Sequence, residues 1–155
     1  DIVTWSRRQA DALRRHVAGE RVNDLDWEHV IEEIEDSGSS EIRAANSLLL
    51  QTMIHALKIA RWPQGPALDH WRTQAGTFLL QAQDRYRPGM RQSIDAERIF
   101  AKARRFVLGL SGDGPAYPIP DSLCLPLDAL VDDGADANAL IDAIGRGTAA
   151  PQQDP

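Results

Sequence analysis

Residues 26–38 read Asp26-Trp27-Glu28-His29-Val30-Ile31-Glu32-Glu33-Ile34-Glu35-Asp36-Ser37-Gly38 and run through Ser39-Ser40-Glu41 into an apolar stretch that ends at Pro63. On a helical wheel Trp27, Val30, Ile31 and Ile34 fall at i, i+3, i+4 and i+7, which makes one apolar stripe. The remainder of that helix is acidic. Glu28, Glu32 and Glu35 form one ridge, and His29, Glu33 and Asp36 form the ridge beside it. Like charges at i, i+4 repel by roughly a few tenths of a kcal/mol per pair, so the pattern asks for a cationic partner. The expected packing buries the Trp27–Ile34 stripe against the next helix and leaves the carboxylates in water.

Outward from this stretch the chain reads as helices. Thr4 suits an N-cap for a first helix from Trp5 to Val17, packing by a Trp5 and Leu13 face and ending at Gly19. Asp24 or Asp26 caps the acidic helix, and Gly38 suits the residue that closes it. Ser39 or Ser40 then opens a third helix that Pro63 halts. Its apolar residues, including Ala45, Leu48, Leu49, Met53, Ile54 and Leu57, cover more than one face, which marks it as central. Pro63-Gln64-Gly65-Pro66 is a turn. A fourth helix over 68–86 carries Trp71, Ala75, Phe78, Leu79 and Ala82 on one stripe, and Pro88-Gly89 breaks it. A fifth over 90–110 repeats the scheme with Ile94, Ile99, Phe100, Ala103, Phe106 and Val107. Beyond Ser111, Gly112, Gly114, Pro115, Pro118, Pro120 and Pro126 make a turn-rich strap, followed by short helices around 127–131 and 137–144. The composition of Thr148–Pro155 reads as disordered. No segment alternates with period two, so the expected fold is all-α: an antiparallel bundle of about five main helices with a Pro/Gly-rich strap. The expected domain spans 1–131, with 132–155 an extension.

At 155 residues the chain can bury a core without staples. A single cysteine excludes an internal disulfide and suggests a reducing compartment, here the cytoplasm. No apolar run approaches a membrane span. The chain opens at Asp1 rather than Met, which leaves room for an upstream segment. The net charge of −6 is unevenly spread. Four Arg against Asp1 and Asp11 give residues 1–19 a charge of +2, whereas nine acids against Arg21 give residues 20–41 a charge of −8. Eleven Lys and Arg against four acids make residues 42–110 +7, and eight Asp against Arg146 make the remainder −7. The basic middle is expected first as an internal counterweight.

With the elements placed, the sequence resembles domain-of-unknown-function family 29, a group of bacterial helical proteins. The resemblance rests on Arg8-Gln9-Ala10 with Leu13-Arg14, then Asp26-Trp27-Glu28 and Glu32-Glu33-Ile34-Glu35. It continues through His55-Ala56-Leu57-Lys58, His70-Trp71-Arg72, Pro88 with Arg91, Ile119-Pro120-Asp121, and Cys124 with Leu127–Leu130. It spans about residues 4–131. The sequence departs from the family pattern at Trp62, which comes later than the expected aromatic, at Leu125 in place of a proline, and in the extension from Ala135. The resemblance implies a helical fold and assigns no activity.

Asp26, His29 and Glu33 share a face, and His55 supplies a further imidazole, a mixed ligand set of plausible type. The Glu-x-x-His pairs of di-iron bundles are missing, however: Asp26 precedes His29 and Thr52 precedes His55. A solvated acidic face is therefore preferred, with no metal and no cofactor expected. A Mg²⁺- or Mn²⁺-dependent hydrolase acting on nucleotides or phosphoesters would use Glu32-x-x-Glu35 and Glu33-x-x-Asp36, but a second carboxylate helix is missing. No Arg stands four to six residues ahead of a His, as a toxin-type helical ribonuclease would need. His55 reads as a hydrogen-bonded helix histidine, Cys124 as a buried structural thiol, and Gly109–Gly114 as neither a nucleophile elbow nor a phosphate loop. The four Trp are expected in the core or at an interface. The preferred function is a non-enzymatic protein-interaction or self-association module, bound to itself or to another protein. Its candidate surface is Asp26, Glu28, Glu32, Glu33, Glu35 and Asp36, with His55 as an outlying candidate and no catalytic residue. The hydrolase is the first alternative. The second is nucleic-acid binding by Arg85, Arg87, Arg91, Arg98, Lys102, Arg104 and Arg105.

Overall fold

The computed structural model describes residues 1–123 and 125–147, and no strand occurs among them. The buried thiol expected of Cys124 and the disorder expected of Thr148–Pro155 lie outside the described residues. The helices are α1 (Ile2–Val17), α2 (Trp27–Arg61), α3 (Leu68–Arg85), a 3₁₀ turn (Pro88–Ser93), α4 (Ala96–Leu108), α5 (Asp128–Val131) and α6 (Ala137–Gly147). The all-helical expectation holds.

Three boundaries differ from expectation for identifiable reasons. The acidic helix and the central helix are not separate rods but a single helix, α2, of 35 residues. Gly38 lies inside it and is not among the glycines with positive φ, so no left-handed residue closes a helix there. A helical glycine costs about 1 kcal/mol relative to alanine, less than the loss of a full turn of i→i−4 bonds. That continuity overturns the expected burial of the Trp27–Ile34 stripe, because a stripe cannot fold back onto later turns of its own helix. Trp27, Ile31 and Ile34 are 50%, 53% and 67% exposed, and only Val30 is buried. The second difference lies ahead of α4. Pro88 initiates a 3₁₀ turn, Ile94 and Asp95 are extended, and the Asp95 carboxylate accepts the Arg98 amide at 3.0 Å as an N-cap, so α4 starts at Ala96. In α1, Asp1 rather than Thr4 is the cap, accepting the Val3 amide at 2.9 Å.

The chain divides into two compact units, Asp1–Ser40 and a second that starts at Glu41, the division falling inside α2. In the first unit α1 is held to the entry of α2 by Gln9, which is buried. Its Nε2 donates to the Asp24 carbonyl at 3.2 Å and its Oε1 accepts the Asp26 amide at 2.8 Å. Ala12 and Val30 are the buried apolar residues of this unit.

The second unit holds the hydrophobic core. Leu49, Met53 and Leu57 of α2 are essentially inaccessible, as are Ala75 and Leu79 of α3, Phe100 and Val107 of α4, Leu130 of α5 and Leu140 of α6. α3 packs against α5 and α6, and Gln83 Nε2 donates at 2.9 Å to the carbonyls of both Leu130 and Ala135. The strap after α4 is stapled down by polar contacts. Tyr117 and Arg61 exchange two hydrogen bonds, at 2.7 and 2.8 Å, and Arg104 donates to the Pro120 carbonyl and pairs with Asp121. Gly112 sits on the indole of buried Trp62, so closely that any Cβ would enter the ring. This contact, and no phosphate or nucleophile chemistry, accounts for a glycine at that position.

Gly38 has open space around its Cα and helical backbone. Gly38→Ala is therefore expected to raise stability by about 0.5–1 kcal/mol in urea unfolding with unchanged helical content; destabilisation would place a break in α2 there.

Candidate functional site

The acidic face lies on the first turns of α2. Asp26 opens the helix: its Oδ1 accepts the His29 amide at 3.4 Å, and its Oδ2 lies 2.7 Å from His29 Nδ1. Carboxylates here also meet the positive end of the helix dipole, which favours them. Asp26, His29 and Glu33 line an open hollow of about 460 Å³ with Asp1, Ile2 and Trp5 of α1. Glu28, Glu32, Glu33, Glu35 and Asp36 are all exposed. Among the described residues none of these five carboxylates has an ion pair. Of the four arginines of α1, Arg14 pairs with Asp11 at 2.5 Å and Arg15 with Asp24 at 2.6 Å, whereas Arg7 and Arg8 are exposed and make no ion pair among the described residues.

Between the Glu28–Glu32–Glu35 ridge and α1 runs the uncovered stripe of Trp27, Ile31 and Ile34. At its start the edge of the His16 ring meets Trp27, with centroids 5.6 Å apart. Ile2, Val3 and Val17 of α1 are exposed as well. Six of the ten large exposed hydrophobics among the described residues thus belong to the first 40 residues, a concentration that marks a surface short of cover.

His55 is not part of this face. Its Nδ1 donates to the Gln51 carbonyl at 2.7 Å and its ring lies 5.4 Å from that of Phe78. Burial lowers its pKa from the ordinary 6.5, against the raising effect of the Gln51 hydrogen bond, so the neutral Nδ1–H tautomer is favoured. Among the described residues no three His, Cys, Asp or Glu side chains are gathered as a shared cation would require.

The cations of the nucleic-acid alternative divide into two sets. Arg85 pairs with Glu41, Arg87 donates to the Asp84 and Tyr86 carbonyls, Arg91 pairs with Asp128 and Arg104 with Asp121. Arg98 and Lys102 are free of such partners and line a separate cleft with Arg43 and Arg105. That cleft went unread in the sequence, although Arg43, Asn46, Ser47 and Leu50 stand at i, i+3, i+4 and i+7, a spacing that places them on one helical face. Phe106, expected in the core, is 53% exposed.

The family described as Domain of unknown function DUF29 matches residues 1–134. A crystal structure at 1.45 Å resolution, of an alpha-helical protein of unknown function from Rhodospirillum rubrum ATCC 11170, is similar at a TM-score of 0.67 and 30% identity. The match covers 94% of this chain and 95% of that one. No curated protein matches.

The Asp26 hydrogen bond and charge raise the His29 pKa above the ordinary 6.5. The protonated ring is the form stabilised, so the pairing is fully present below that ordinary value and is lost as pH rises through the raised one. An NMR titration is expected to find His29 raised in the native chain and returned toward 6.5 in Asp26→Asn; an unchanged value in the variant would mean that the pair does not form.

Proposed function

Because this chain belongs to the DUF29 family, whose description assigns no activity, we propose on physical grounds that it is a protein-interaction module. It receives a cationic amphipathic helix of a partner protein on the first turns of α2. One observation carries the reading: an uncovered stripe of Trp27, Ile31 and Ile34 runs beside carboxylates that have no ion pair among the described residues.

The spacing i, i+4, i+7 is that of anchors in helix-in-groove recognition. Full burial of such a side chain contributes about 1.5–3 kcal/mol relative to full exposure. Three side chains already half covered therefore offer roughly half of that each. The acidic ridge supplies what the stripe does not, namely selection by sign of charge and faster encounter with a basic partner. A second copy placed face to face fits less well, since its equivalent face carries the same unpaired Glu28, Glu32 and Glu35. Arg14 and Arg15 of its α1 are already engaged, and Arg7 and Arg8, which are not, are the cations that a dimer would have to use.

Isothermal titration of the full chain with two short amphipathic peptides, identical in their leucine face but bearing lysine or glutamate on the polar face, tests this. The lysine peptide is expected to bind, more weakly as salt rises, with Ile34→Asp lowering affinity about tenfold, the equivalent of 1.4 kcal/mol. Equal behaviour of the two peptides contradicts the reading. So does a concentration-dependent dimer that Ile34→Asp dissolves, which would make a second copy the occupant.

A further inference from the structure

A second surface of different chemistry lies wholly within the unit that starts at Glu41. One face of α2, carrying Arg43, Asn46 and Ser47, and one face of α4, carrying Asp95, Arg98, Lys102 and Arg105, wall a cleft of about 600 Å³. Ligand sites for small molecules run to roughly 300–1,000 Å³, so the cleft is of a size to enclose one. Four cations face a single carboxylate, and that carboxylate is already committed to capping α4. Among the described residues the side chains of Arg43, Arg98, Lys102 and Arg105 make no ion pair and no hydrogen bond. Cations gathered without counter-charges repel one another, and an anion seated among them relieves that repulsion.

Two further features narrow the class of anion. Asn46 lines the cleft with its Oδ1 shielded from solvent, which leaves the Nδ2 donors of the same amide to meet an acceptor oxygen of the occupant. Phe106 stands outside the lining of the cleft, on the same face of α4 as Ile99 and Lys102 and one turn beyond the lysine, and it is half exposed. A flat exposed ring next to a cationic wall is a stacking platform for a base. Phosphate for the cations, a sugar or base oxygen for the Asn46 amide and a planar ring for Phe106 belong together in one kind of molecule.

From this arrangement we infer that the α2–α4 cleft binds a mononucleotide, its phosphates among Arg43, Arg98, Lys102 and Arg105 and its base against Phe106. An extended nucleic-acid strand fits less well, because the cations that would continue the track, Arg85, Arg91 and Arg104, are paired with Glu41, Asp128 and Asp121. The inference is independent of the peptide-binding role, since no residue of the cleft belongs to the acidic face.

Calorimetric titration of the full chain with ATP, sodium tripolyphosphate and a short oligothymidylate tests it. ATP is expected to bind saturably and more tightly than tripolyphosphate, and the double variant Lys102→Glu, Arg105→Glu should abolish both. Phe106→Ala is expected to weaken ATP about tenfold, the scale of one base–ring stack, while leaving tripolyphosphate unchanged. Both variants alter exposed side chains, and circular dichroism checks that they fold. Absence of saturable ATP binding overturns the inference. Equal affinity for ATP and tripolyphosphate with no effect of Phe106→Ala also overturns it, leaving a bare phosphate site. Oligothymidylate binding that ATP does not displace overturns it in favour of a single-strand surface.

Discussion

Everything in this molecule depends on the burial of the second half of α2. Ala45, Leu49, Met53, Ala56 and Leu57 recur at three- and four-residue intervals and are almost wholly withdrawn from water. A side chain of leucine size withdrawn in this way contributes about 1.5–3 kcal/mol, and the several on this helix fix it as the axis around which the second unit condenses. Helix formation is costly to start and cheap to extend. Once residues 45–61 are helical, each preceding residue adds a backbone hydrogen bond without a new nucleus. Extension carries the helix through Ser40, Gly38 and Ser37 and into a stretch where Glu28 and Glu32 repel across one turn. Asp26 at the entry and the Gln9 clamp on Asp24 and Asp26 secure the far end.

The consequence is a helix whose two halves do different work. One half is covered and supplies stability. The other presents apolar side chains and unpaired carboxylates, features that detract from the stability of the free chain. Natural sequences tolerate such local conflicts mostly where function requires them. The same contrast of sign recurs in the second unit, where some arginines are spent on structure, Arg104 on Asp121 and Arg91 on Asp128, and others are left free along the α2–α4 cleft. Among the described residues, charge thus sorts into paired groups that hold elements together and groups that make no ion pair.

Much of the fold was legible because periodicity reports burial directly. The apolar rows of residues 45–60 and of α3 placed the core, and Pro63, Pro88 and the Gly/Pro strap placed the breaks. The acidic residues of the candidate face were legible for the same reason: they flank an apolar stripe. What could not be read was whether that stripe is covered. The wheel gives a face, and a partner for the face is a tertiary fact; the decision turned on Gly38, whose cost of about 1 kcal/mol is too small to settle a helix boundary by itself. Phe106 was misread by the same route, since it lies at the margin of the α4 stripe beside buried Val107. The cleft was hidden because its cations are divided between two helices, with 55 residues from Arg43 to Arg98, and only packing shows that Arg43 joins Arg98 and Lys102 while Arg104 turns to the strap.

The central claim is that α2 leaves Trp27 open to solvent while its other end is sealed. ¹⁹F NMR of the chain labelled with 5-fluorotryptophan, its resonances assigned by single Trp→Phe variants, addresses this through the shift between H₂O and D₂O. The account predicts a large solvent shift at Trp27, which is 50% exposed, and almost none at Trp62, which is 3% exposed. A Trp27 resonance as insensitive to solvent as that of Trp62 would mean that the stripe is already covered in the free chain, and would contradict the account.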